Sequence, residues 1–194
     1  MANKPERVVG RTILYFAKAG TANTDALLRA ARSRGDALGV RQIVVASTHG
    51  FTAHRAQAAF AGTGVEVIAV TIAASYAAEG WTMTDAERAR LRRAGVTVLT
   101  GTHALSGGLA DGLDAPGVQG TASKVLYRFC QGMKVAVEVV LMAADAGLLD
   151  MRREIIAVGG TGEGADTAIV VKPAYTRTFQ KLEIREIIGK PRKA

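Results

Sequence analysis

Runs of β-branched residues recur along this chain at intervals that leave room for one helix between most of them, and that alternation limits the fold more than any other feature. The runs are Thr12 to Phe16, Ile43 to Ala46, Val65 to Thr71, Val96 to Thr100, Ile155 to Val158 and Thr167 to Val171. Asn23, Thr24 and Asp25 offer capping oxygens before a helical segment that reaches Leu38, where Gly39 stops it. Phe51 to Ala61 reads as a second helix. Thr84 with Glu87 forms a capping box that opens a short charged helix ended by Gly95. Strand, helix, strand in repetition predicts a parallel sheet covered on both faces, because each parallel connection must cross over and lay its helix on the sheet. Ile43 to Ala46, almost wholly apolar, is expected at the centre of that sheet. Thr167 to Val171 follows its neighbour after a glycine turn too short for a crossover, so it must run antiparallel. Leu182 to Ile188 reads as a late strand with apolar positions to spare.

Gly101 to Gly120 is glycine-rich and without period, and is expected to be a long loop. Ser123 to Ala146 is then a helix, broken near Gly132. Its polar residues Gln131, Lys134, Glu138 and Asp145 share one stripe, which predicts a buried helix with a narrow wet face. With 194 residues, 48% of them apolar, the chain is expected to be a single domain over 1–194, with a disordered tail at residues 191–194 that takes in most of the basic stretch Lys190 to Lys193. Met1 to Val9 shows no secretory pattern, and Lys134, Glu138 and Asp145 interrupt the longest apolar run, so no membrane partner and a cytoplasmic location are expected. One cysteine, Cys130, permits no internal disulfide and reads as a buried structural thiol. The net charge of +8 can attract nucleic acid or small anions such as phosphates, but the arginines are scattered over several helices with few aromatics among them, which argues against nucleic acid and reads first as a solvated basic surface.

Hydroxyl and glycine residues end the parallel strands. Ser47, Thr48, His49 and Gly50 follow one, Thr71 ends the next, Thr102 and His103 follow another, and Gly159, Gly160, Thr161 and Gly162 follow the fourth. All would lie along the carboxyl edge, where open α/β sheets bind ligands. Between Ser47 and Thr52 there are three hydroxyls and a glycine just as a helix begins, more than a helix cap requires. Such a loop offers a phosphate backbone N–H groups, uncharged donors and a helix N-terminus, with Gly50, Phe51 and Thr52 supplying the N–H groups. The glycines from 159 to 164 nearly match a dinucleotide fingerprint, yet a strand follows them instead of a helix. No phosphate-loop lysine motif, nucleophile elbow or acid–base pair at convincing spacing is present. A phosphate-ester hydrolase using His49 or His103, or a flavin-dependent oxidoreductase, stays as the enzymatic alternative. A metal held by His49, His103 and Asp111 is a weaker one.

Several blocks resemble a known family. Ile43 to His54 is similar to the activator-phosphate loop of the pyruvate kinase C-terminal domain, and Gly159 to Val171 to that domain's last two strands. Closer still is a family of small stand-alone proteins of this domain, through Asn23-Thr24, Val44-Val45-Ala46-Ser47, Gly101-Thr102-His103-Ala104-Leu105-Ser106-Gly107, Met142 to Leu148 and Gly159 to Ala168. The resemblance implies a three-layer α/β/α sandwich with a mostly parallel, five-stranded sheet of order 3-2-1-4-5, its last strand antiparallel. It also implies bound flavin mononucleotide (FMN) and a homo-oligomer, and no pyruvate kinase activity. The chain departs from the family at His49, where relatives have serine, and at Ile72 to Tyr76, where they carry paired histidines and Ala-Gly-Phe.

Overall fold

The computed structural model describes residues 9–193; Met1 to Val8 and Ala194 lie outside them. In chain order the elements are β1 (Leu14–Phe16), α1 (Thr24–Leu38), β2 (Gln42–Ala46), α2 (Phe51–Ala59), β3 (Glu66–Thr71), α3 (Asp85–Arg93), β4 (Thr97–Thr100), α4 (Gly108–Gly112), α5 (Gly117–Leu126), α6 (Gln131–Asp145), β5 (Ile155–Gly159), β6 (Thr167–Lys172) and β7 (Glu183–Pro191). Gly39 takes the left-handed conformation that ends α1, and both arms of the Thr84 capping box are made. The sequence signals for these helix ends therefore act as local backbone chemistry predicts.

All seven strands form one mixed sheet of order β1-β7-β6-β5-β2-β3-β4. β5, β2, β3 and β4 are mutually parallel, β6 is antiparallel to both β5 and β7, and β1 is parallel to β7. The expected five-stranded sheet is thus corrected to seven strands, and 3-2-1-4-5 is not its order. The reason is the edge of β6, whose free N–H and C=O groups are covered by β7, while three-residue β1 closes the end. The expected tail is corrected as well. Lys190 and Pro191 belong to β7, Pro191 pairs with Phe16, and Arg192 N–H donates to the Phe16 carbonyl at 2.9 Å. β2 lies inside the sheet, but the middle strand of the seven is β5.

Alternation along the inner strands splits the core in two. Ile43, Val45, Val67, Ala69, Ile156 and Val158 face α1, α2 and α3, whereas Val44, Ile68, Val70, Ile155 and Ala157 face α6. Each fully buried Val or Ile contributes about 1.5–3 kcal/mol, so both faces reward one register and a one-residue slip would exchange them. The 101–120 segment is corrected from a loop to a loop holding α4 and the start of α5. The helix after it breaks at residues 127–130, ahead of Gly132, with Cys130 extended. Cys130 is buried, as expected of a structural thiol. Among the described residues no helix is long and apolar enough to cross a membrane.

Candidate functional site

Strand order reverses at β2: β3 and β4 lie to one side of it and β5 to the other. That arrangement opens a crevice at the carboxyl ends of β2 and β5. The chain leaves β2 there. Ser47 N–H extends the ladder by one bond, to the Val70 carbonyl at 3.0 Å, and the turn at Gly50 (φ 95°) starts α2 at once. A Cβ on Gly50 would lie 3.3 Å from Leu91 Cδ1, so the glycine is needed for its conformation and its packing on α3; the space is not ligand space. Ser47 Oγ accepts the Ala53 N–H at 3.1 Å and keeps its own O–H to donate.

Among the described residues, no protein acceptor meets the N–H groups of Thr48, His49, Gly50, Phe51 or Thr52. Thr52 is only 3% exposed and its hydroxyl has no partner, yet no fully enclosed side-chain oxygen lacks one, so the hydroxyl reaches solvent. The result is a cluster of uncharged donors around a helix N-terminus, where the unpaired N–H groups carry about half a positive charge. His49 turns toward α3, with Nδ1 3.4 Å from Glu87 Oε2. The Glu87 carboxyl is held below its ordinary value, first by the Thr84 backbone N–H, which burial opposes as the next largest effect, and then by the Thr84 hydroxyl and His49. Phe51 is exposed, with the Arg55 guanidinium 5.5 Å above its ring.

Further along the edge, Thr71 and Thr100 hydroxyls lie 2.6 Å apart, and Arg88 donates to Thr100 at 2.9 Å. Thr102 is exposed. His103 Nε2 accepts the Ala73 N–H at 3.3 Å, and its ring stacks on Tyr76 at 5.7 Å. Burial pushes the imidazole below its ordinary pKa, Lys134 adds to this, and Glu138 and Asp111 oppose it. His49, His103 and Asp111 do not gather as a metal site, and no group of three possible ligands exists among the described residues.

The expected wet stripe holds at its ends, where Gln131 and Asp145 are exposed, and is corrected in its middle at Lys134 and Glu138. Their side chains are 4% and 7% exposed, with Nζ 2.5 Å from Oε2. Glu138 Oε1 accepts the Leu105 N–H at 2.9 Å and the Ser106 hydroxyl at 3.2 Å, while Lys134 also donates to Ser106 Oγ at 2.6 Å. The pair pins the 103–107 loop to α6. Sequence reading missed it because periodicity alone does not say what faces a polar stripe. Lysine and glutamate four residues apart on an otherwise apolar helix were the available signal.

The last glycine cluster serves packing. A Cβ on Gly159 would lie 2.3 Å from the Gly132 carbonyl, and one on Gly160 2.3 Å from the Gly164 carbonyl. Thr161 N–H and Gly20 N–H donate to buried Asp166, at 3.1 and 3.0 Å, which holds this hairpin against the start of the chain. Gly162, at the tip, is exposed.

Two concavities lie elsewhere. One of about 360 Å³ lies between α1 and α2, beside Arg29, Arg32 and Asp36. The other, about 470 Å³, is at the amino edge, beside Arg41, Glu66 and Asp150. The second is lined by three carboxylates, Glu66, Asp150 and Glu154, against two arginines, Arg41 and Arg153, a balance that disfavours an anion. The carboxyl edge, with its unpaired donors, is the better candidate for an anionic ligand. No protein-family model matches this chain.

Proposed function

We propose that the chain binds a phosphate-bearing small molecule, FMN, across the carboxyl edge of the sheet, with the phosphate on the Ser47–Thr52 loop. The observation that carries this reading is the set of five consecutive N–H groups, Thr48 to Thr52, that meet no protein acceptor among the described residues, beside the solvent-reaching Thr52 hydroxyl. A phosphate dianion satisfies such donors without needing a lysine. The phosphate end of FMN fits this donor chemistry. The flavin itself is supported by the resemblance of the blocks from Asn23 to Ala168 to stand-alone pyruvate kinase C-terminal-like proteins, with Thr71, Thr102 and His103 along the same edge.

Titration of the protein with FMN and with riboflavin, followed by flavin fluorescence, tests the reading. FMN is expected to bind at least about ten-fold tighter, since hydrogen bonds to a charged group contribute roughly 1.5–3 kcal/mol each. Thr52→Ala should narrow the gap by about ten-fold. Equal affinities of the two flavins for wild type would show that this loop does not recognise phosphate.

Self-association of the chain is part of the same proposal. Leu109 on α4, Leu113 just after it, and Val118 and Val125 on α5 are 77%, 67%, 86% and 57% exposed, apolar side chains in neighbouring stretches of chain that a second copy would cover. Light scattering at micromolar concentration should find a mass above the monomer, and a monomer there would end this part of the reading.

A further inference from the structure

Gly107 sits at φ 76°, and a Cβ placed on it would meet three polar side-chain ends: Tyr76 OH at 3.5 Å, Asp111 Oδ2 at 3.8 Å and His103 Nδ1 at 3.8 Å. They come from three segments, the turn after β3, the loop after β4 and helix α4. Among the described residues none of the three atoms has a hydrogen-bond partner. Three unpaired polar ends around one glycine make a niche whose donor pattern is readable.

His103 fixes that pattern. Its Nε2 accepts the Ala73 N–H, so in the neutral ring the proton is on Nδ1, which becomes a donor facing the niche. Burial of the ring favours that neutral form. Tyr76 OH is a second donor, and the Asp111 carboxylate accepts. The ring planes are held by stacking, Tyr76 on His103 and on Trp81 within 20° of parallel. From below, Glu138 grips Leu105 and Ser106 and keeps the loop in place. These supports are what a preorganised binding site needs.

We infer that Tyr76, His103 and Asp111 form a binding niche over Gly107 for the edge of a cyclic imide or lactam, its carbonyl taken by His103 Nδ1–H and Tyr76 O–H and its N–H given to Asp111. A ring amide fits because the ring holds C=O and N–H on the same side, next to each other, whereas an open-chain secondary amide is trans and presents them on opposite sides. The niche lies at the end of β4, two strands from the anion loop at the end of β2, roughly 10 Å along the sheet. One ligand can therefore carry phosphate at one end and an imide at the other. This deepens the FMN reading and rests on it for the identity of the whole ligand, because the flavin ring has such an imide edge, but the niche is testable alone.

The test uses the full chain and two small probes, 1-methyluracil, which has the imide N–H, and 1,3-dimethyluracil, which does not. Imidazole proton signals are followed by NMR at millimolar probe concentration, with His103 assigned by the signal lost in His103→Gln. The expected result is a saturable shift of the His103 signal with 1-methyluracil only, abolished in Asp111→Ala and weakened several-fold in Tyr76→Phe, which keeps the stacked ring. In parallel, FMN methylated at the imide nitrogen should bind wild type about ten-fold more weakly than FMN and equally to FMN in Asp111→Ala. A His103 signal unmoved by 1-methyluracil, or moved equally by both probes, overturns the niche. The FMN and riboflavin comparison reports separately on the phosphate loop, so either proposal can fail while the other stands.

Discussion

Glu138→Leu is the substitution whose cost the structure bounds best. It would leave the Lys134 ammonium, 4% exposed, with only the Ser106 hydroxyl as partner, and would remove the acceptor of the Leu105 N–H. Stranding one member of a buried ion pair costs about 3–5 kcal/mol, and a buried N–H without an acceptor about 1–3 kcal/mol. The two overlap, because one movement of the 103–107 loop would let water reach both groups. We therefore expect a loss of about 4 kcal/mol, a large part of the roughly 5–15 kcal/mol that holds a domain together. At about 2–4 °C per kcal/mol for a chain of this size, the melting temperature should fall by roughly 8–16 °C. Urea unfolding should show the loss as a lower midpoint at unchanged slope. The double variant Lys134→Met/Glu138→Leu removes both charges and fills the space, and should recover most of the loss, since apolar replacement of a buried pair is often neutral or better. A single variant within about 1 kcal/mol of wild type, or a double variant no more stable than the single, would refute the argument that this pair is dry and mutually dependent.

Acid should weaken the fold through His103. Its pKa in the folded protein lies below the ordinary value of about 6.5, because burial disfavours the imidazolium and Lys134 adds to this, against the opposing Glu138 and Asp111 carboxylates. The stability it contributes is therefore fully present above about pH 6.5 and is lost as pH falls through the lower folded value. Urea unfolding between pH 7 and 5 should show this slope in wild type and a shallower one in His103→Gln; identical slopes would remove His103 as the cause. At the helix–strand contact, Gly132→Ala would set a Cβ 2.3 Å from Thr167 Oγ1, and Gly159→Ala one 2.3 Å from the Gly132 carbonyl. Each should cost about 3 kcal/mol or more in urea unfolding, whereas Gly162→Ala, in open space at φ 71°, should cost only about 1 kcal/mol, and equal costs would show that close packing is not what these glycines serve.

Much of the local structure was legible in the residues because its causes are local. The Thr84–Glu87 box, the Gly39 stop and the apolar run of β2 act within a few positions of themselves, and each is found where the pattern puts it. The reversal of direction at β6 also follows from chain length alone, since a short glycine turn cannot carry a crossover. The Ser47–Thr52 loop could be picked out from its composition, but the orientation of its parts could not. That Gly50 faces Leu91, and that His49 turns to Glu87 on α3, depends on a helix more than thirty residues later.

What tertiary structure decided lies in contacts between distant segments. Whether Lys134 and Glu138 meet water or each other depends on whether the 103–107 loop covers them, and a hydrophobic period carries no information about that cover. The placement of β7 and β1 beyond β6 is of the same kind: the residues of Leu14–Phe16 do not say which strand they will pair with. The convergence of Tyr76, His103 and Asp111 on Gly107 is the extreme case. Single polar residues in three separate segments carry no periodic signal, and they become a site only because β3 and β4 are adjacent and α4 brings Asp111 back beside Gly107. Sequence patterns report forces that act along the chain, while a site of this kind is set by forces that act across it.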